Sequence, residues 1–464
     1  MASEKFRRQL RQESEQWWNE GLIDAQLYGK LADRYEFEEI ESQARGQFTT
    51  ILISLGGILL GLGVITFVAA NWTVWSREVK VILLMVTFFV INTIGFYLWR
   101  SPAKNGLQKL GAALLLLGGL TLGANISLVS QMFHQTGELY QLCLVWGLAV
   151  WLMALSLAMP ALSILSLLLV GFGYLRGTLD AVYFVSDLSL YHLAVVHMPL
   201  LSLVLFLPLA HRSRSRVTFG LGALLFSLSF FLNLTAIATW KLEVAIVVPA
   251  ALLWAYSAQS PRKWIELSFQ AIARNIALIW LAVTFYIFSF NNWASISAIP
   301  EMFRFSWAVH VMADFVICSS LAIWLWLKLG RRLANFSLTQ ERSLNTGVIA
   351  IMILLTGGSL YIHLNLTPLA VIGPLLFNIL FFVISIAAIR DGLALGSRRS
   401  FWSGMLLLIV GIMTRTLEYN TGLITKAIVF AACGVGVILA GLWFERNIEH
   451  TKRLSPSQLQ EHNS

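Results

Sequence analysis

The sequence predicts an all-α fold, a polytopic bundle of about fourteen transmembrane helices preceded by a short N-terminal cytosolic helical hairpin. Three observations predict it. Of 464 residues, 57% are hydrophobic and 12% charged, about half the charged share of an average soluble domain. The apolar residues fall in repeated runs near the roughly 20 residues that cross a bilayer as a helix. Lys and Arg crowd into alternate connections between those runs, the pattern that sets membrane topology.

Residues 1–47 read as a soluble unit. An amphipathic stretch runs from Glu4 to Glu20; Gly21 then offers a helix stop and Asp24 an N-cap for a second helix. On that helix Leu27, Leu31 and Tyr35 recur every four residues as one apolar stripe. Trp17, Trp18, Leu22 and Ile23 can pack against it. A unit this small buries little surface alone, so it is expected to rest on the membrane face, on a second copy or on a protein partner. The polar stretch ahead of the first apolar run argues against a cleavable signal peptide. A transmembrane domain over 48–444 and a polar cytosolic tail over 445–464 complete the expected organisation.

The apolar segments are 48–70, 79–99, 109–132, 139–158, 161–175, 190–210, 217–239, 243–257, 275–290, 306–327, 346–363, 368–389, 401–417 and 423–444. Two of them, 161–175 and 243–257, are short enough to be re-entrant or enclosed by protein. With the N-terminus inside, 26 of the 33 Lys and Arg fall on the inner side and seven on the outer side. Removing one short segment would flip the parity and put Arg212, Arg214 and Arg216 outside. The charge distribution therefore supports all fourteen segments and places both termini in the cytoplasm.

Three matches pair segment n with segment n+8. Segment one ends in Phe67-x-x-x-Asn71-Trp72-x-x-x-Ser76, segment nine in Phe288-x-x-x-Asn292-Trp293-x-x-x-Ser297. Leu116-Leu117-Gly118-Gly119 answers Leu355-Thr356-Gly357-Gly358, and Arg176 with Asp180 answers Arg415 with Glu418. Two parallel six-helix halves around a two-helix insert would give this pattern, and parallel repeats occur in transporters; chance in Leu/Gly-rich sequence is the alternative.

The charge of +9 lies in short loops, with no aromatic-interleaved patch or nucleic-acid fold, so no nucleic-acid partner is expected. Cys143, Cys318 and Cys433 are scattered through apolar runs, with no CxxC, and read as packing residues. There is no P-loop, HExxH or nucleophile elbow. His192 and His197 are five apart and do not share a face as zinc-binding i,i+4 histidines do. No metal or cofactor is expected.

The N-terminal third resembles a family of predicted bacterial membrane proteins known as domain of unknown function 2157. The resemblance rests on Trp17-x-x-x-Gly21-Leu22-Ile23 with Gln26, on Ala69-Ala70-Asn71-Trp72, and on the run from Gly123 to His134 (GANISLVSQMFH); Gly56-Gly57-x-x-x-Gly61 and the region of Trp146 fit as well. It implies a bacterial membrane protein, hence the inner membrane, and brings no activity with it.

Polar residues gather toward the outer half of the expected topology. His310 and Asp314 are four apart, on one helix face. With Asn71, Asn125, Gln131 and His134 they form the candidate polar vestibule, since ionisable groups at membrane depth usually face a bundle interior or a water-filled cavity. The alternative is that Asn, Gln and His merely join helices. The Arg176/Asp180 and Arg415/Glu418 pairs read as charges snorkelling at helix ends; Trp72, Trp75 and Trp293 read as interfacial belt residues; and Gly57-x-x-x-Gly61 and Gly119-x-x-x-Gly123 read as close-packing sites. The expected function is transporter- or flippase-like, handling a small polar or amphiphilic compound in contact with membrane lipids. The rivals are a membrane-embedded enzyme acting on a lipid or lipid-linked substrate through His134, His310 and Asp314, and a non-catalytic scaffold or sensor whose hairpin recruits a partner.

Overall fold

The structure is a computed structural model that describes residues 4–35, 66, 70, 74–101, 105–134, 137–179, 189–236, 243–259, 264–291, 293, 305–334, 340–394, 396–418 and 422–458. Among them every regular element is helical and no strand occurs. The chain divides into two compact units, Met1–Thr87 and Phe88–Ser464.

In the first unit, α1 (Glu4–Asn19) and α2 (Ala25–Tyr35) form the expected hairpin. Gly21 takes φ +74°, a conformation that side chains with a Cβ disfavour. Its N–H bonds to Trp18 O and that of Leu22 to Trp17 O, the paired closure that satisfies the last carbonyls of a helix. Asp24 caps α2, its Oδ1 accepting from the Leu27 N–H at 2.8 Å. Trp18 stacks on Tyr28, ring centroids 5.3 Å apart, while Leu22 and Leu27 stay exposed.

The other helices are α3 (Arg77–Arg100), α4 (Asn105–Met132), α5 (Leu139–Leu157), α6 (Pro160–Leu179), α7 (Leu190–Val196), α8 (Met198–Ser213) and α9 (Arg216–Ala236). A 3-10 turn (Glu243–Val247) leads into α10 (Val248–Ser257). Then follow α11 (Trp264–Phe288), α12 (Phe305–Ala334), α13 (Gln340–Asn365), α14 (Ile372–Ala394), α15 (Arg398–Glu418) and α16 (Leu423–Gln458). Eleven helices among the described residues are long and apolar enough to cross a membrane, and twelve if the bent pair α7/α8 is one span. This is a multi-pass membrane protein.

Thirteen of the fourteen expected segments coincide with these helices; 48–70 lies outside the described residues except at positions 66 and 70. Segment 161–175 is a full 20-residue helix. Segment 243–257 remains short: Val244–Ser257 rises about 21 Å at 1.5 Å per residue, against about 30 Å of hydrocarbon. Residues Val248 to Ala255 are all buried, and neighbouring helices serve their carbonyls. Trp280 Nε1 donates to Ile246 O at 2.9 Å and Trp326 Nε1 to Ala251 O at 3.0 Å. The last apolar segment, 423–444, matches the apolar stretch Leu423–Trp443, and the helix that carries it, α16, runs on to Gln458.

Small residues set the closest helix approaches. A Cβ on Gly111 would lie 2.2 Å from the backbone N of Trp99, and one on Gly404 2.7 Å from that of Ile389, so α3/α4 and α14/α15 touch backbone to backbone. Gly119-x-x-x-Gly123 works differently. Gly123 makes room for the Trp146 indole, and Trp146 Nε1 donates to Gly119 O at 2.7 Å. Gly57 and Gly61 lie outside the described residues.

Candidate functional site

The run 190–210 does not form one helix. Pro199 has no N–H to return to Val195 O, and its ring crowds that carbonyl; α7 stops at Val196 and α8 restarts at Met198, bent by 82°. His197 stands between them as the C-cap of one helix and the N-cap of the other. Its N–H bonds to Leu193 O and its carbonyl accepts from the Leu201 N–H.

A break in a span frees carbonyls that lipid cannot satisfy, and side chains of neighbouring helices close on this one. Asn233 of α9 donates from Nδ2 to Val196 O at 2.6 Å. The Tyr174 hydroxyl of α6 reaches Asn233 Oδ1 at 3.1 Å and Ser229 O at 3.3 Å. One turn earlier, His192 sits between Ser189 Oγ (2.8 Å from Nδ1) and the Tyr140 hydroxyl (3.4 Å from Nε2). Tyr140, Tyr174, His192 and Asn233 are all buried.

The strongest contact comes from α12. His197 Nδ1 lies 2.6 Å from Asp314 Oδ1, with the imidazole 27% exposed and the carboxylate 1% exposed. His310 meets His197 edge to face, ring centroids 5.4 Å apart. The second carboxylate oxygen, Asp314 Oδ2, is buried without a hydrogen-bond partner. Such a set can hold a proton or hydrogen-bond a polar ligand. Among the described residues no group of three His, Cys, Asp or Glu side chains is placed to hold a metal ion.

The expected i,i+4 pair His310/Asp314 is thus joined by His197, which the sequence reading left out of its candidate set. The missed signal was a proline two residues beyond a histidine inside an apolar run. Asn125 is buried on α4, which packs on α5 and α6. Gln131 and His134 are exposed at the end of that helix; Gln131 reaches Ser127 Oγ at 3.5 Å, and His134 has φ 54°. Asn71 lies outside the described residues.

A second polar cluster ties α15 to the end of α11. Arg415 donates to Ser289 O at 2.7 Å, pairs with Glu418, and stacks over the Phe290 ring at 3.6 Å. Glu418 also accepts from the Asn291 N–H at 2.7 Å, and Asn378 Nδ2 donates to Ser289 O at 3.0 Å. The ion pair is as expected, but Arg415 is buried rather than snorkelling, because its Nη1 reaches both Ser289 O and Glu418. Trp293 also departs from the belt reading. It is 1% exposed, seated where Gly373 leaves space, with its N–H on Phe288 O and its ring against His363. Asp180, Trp72 and Asn292 lie outside the described residues.

The family model described as predicted membrane protein (DUF2157) matches residues 15–163. That stretch covers the last five residues of α1, α2 and the chain through to the first residues of α6, including Trp146 and its glycine seat. The DUF2157 match ends before the helix break, so His197, Asn233, His310 and Asp314 all lie outside it. No curated protein and no solved structure matches the chain.

Proposed function

We infer that the chain is a transporter- or flippase-like protein of a bacterial inner membrane, moving a small polar or amphiphilic compound through a vestibule on the outer side, with both termini cytoplasmic. The observation that carries this reading is the broken pair α7/α8, with His197, His192, Asn233, Tyr174 and Asp314 gathered on it. Discontinuous helices near mid-membrane are where carriers bind substrate and coupling ions, because unwound backbone and polar side chains are tolerated only where they are enclosed or line a cavity.

The charge distribution supports the outer-side placement. The repeat reading makes α5/α6 and α14/α15, segments four-five and twelve-thirteen, equivalent pairs, and in each the two helices pack on one another, as other consecutive helices of the chain also do. The two halves differ at segment six, broken in α7/α8, and segment fourteen, continuous in α16. The hairpin, with Trp18, Leu22 and Leu27 exposed, is the expected docking point for membrane lipid, a second copy or a protein partner.

The test is transport by the full chain in proteoliposomes. Charge movement on a solid-supported membrane is recorded against panels of amino acids, dipeptides and quaternary amines, and labelled phospholipid is followed by dithionite bleaching. We expect one class to be moved above protein-free vesicles and lost with Asn233→Ala. No movement of any class would contradict the reading.

A further inference from the structure

We propose that His197 and Asp314 form a proton-binding pair at the helix break, the imidazole exchanging protons with the aqueous side and the carboxylate storing one on Oδ2. The placement of the two groups carries it. The imidazole is part-exposed, whereas the carboxylate is sealed at 1%, so of the pair it is His197 that meets the aqueous side. Oδ1 is taken by His197 Nδ1 at 2.6 Å, while Oδ2 is buried without a partner. A buried ionised oxygen left bare is costly, and protonating Oδ2 removes that charge. Chains of His and carboxylate groups within membrane spans serve as proton relays in pumps and transporters.

The groups facing the pair come from three sides. On α12 itself His310 lies one turn before Asp314 and Cys318 one turn after. The third helix against α12, α10, presents apolar side chains over Val248–Ala255. The His192 ring of α7 is engaged by Tyr140 and Ser189, and Tyr174 of α6 by Asn233 and Ser229; Arg176, further along α6, has an interaction of its own. No Lys or Arg nitrogen forms a salt bridge with Asp314 among the described residues, so the charge of the carboxylate is balanced by histidine alone. Because the His197 backbone is the joint between α7 and α8, loading or unloading the pair alters the tether between that joint and α12. Proton binding rests on the transport reading for what it drives, while the site itself can be titrated without substrate.

The experiment is an infrared pH titration of the full chain in vesicles, with and without carbon-13-labelled aspartate. The expected result is a protonated-carboxyl band that grows as pH falls, moves on labelling, and is lost in Asp314→Asn; His197→Gln keeps the band and shifts its midpoint. Absence of a label-sensitive band in the wild type, or its persistence in Asp314→Asn, overturns the proposal. If Asp314→Asn does not assemble, a midpoint unmoved by His197→Gln overturns it. Substrate-driven charge movement without the band would remove the proton site and leave transport standing. The band without transport would do the reverse.

Discussion

Arg415 shows how much one side chain can hold in a medium that offers no water. Its guanidinium spans Glu418, Ser289 O and the Phe290 face, fixing the end of α11 to α15. Removing one partner of a buried pair strands the other, at about 3–5 kcal/mol, and the 22% exposure of Glu418 puts the expected loss at the lower end. Arg415→Ala should therefore lower the thermal unfolding midpoint in detergent sharply. Arg415→Lys should recover only part of it, because an ammonium can repeat the two bonds made by Nη1 but not the planar stacking on Phe290. An unchanged midpoint for Arg415→Ala would show the cluster to be dispensable. The spacing of Arg415 and Glu418 was legible in the sequence, as was that of His310 and Asp314. The partners were not, since Ser289 and His197 are separated from them by more than 100 residues of chain and only packing brings them together.

Among the elements, the hairpin and the enclosed segment were the most readable. Gly21 and Asp24 mark a stop and a start by local chemistry, and both act as written. The shortness of 243–257 likewise marked it as re-entrant or enclosed by protein, and its helix is buried from Val248 to Ala255. The break at His197 was less readable: hydropathy averages across it, and only Pro199 hints at the interruption. Trp293 was misassigned to the interface because its seat depends on Gly373, 80 positions on. Deleting 1–47 should spare insertion and orientation of the remaining chain, since the later segments carry their own basic flanks. Protease protection of the truncated protein checks this. Loss of insertion or a scrambled orientation would make the hairpin integral to the bundle.

For the whole molecule, composition and run length gave the class, and the bilayer explains why. Apolar area that would aggregate a soluble protein faces lipid here, as the exposed Ile, Leu and Val of α3, α12 and α16 show. In the orientation proposed from the basic residues, reporter fusions after Arg214 and Arg331 should read cytoplasmic and one after Asn291 should read external. An external reading at Arg214 would break the fourteen-segment topology. The most direct test of the central claim, that the broken helix opens to the outer side, is thiol accessibility of His197→Cys in a background with Cys143, Cys318 and Cys433 replaced by Ser. A membrane-impermeant maleimide added outside intact cells should label that position, and prior addition of a transported compound should slow the labelling. Labelling only from the cytoplasmic side of inverted vesicles would contradict the account.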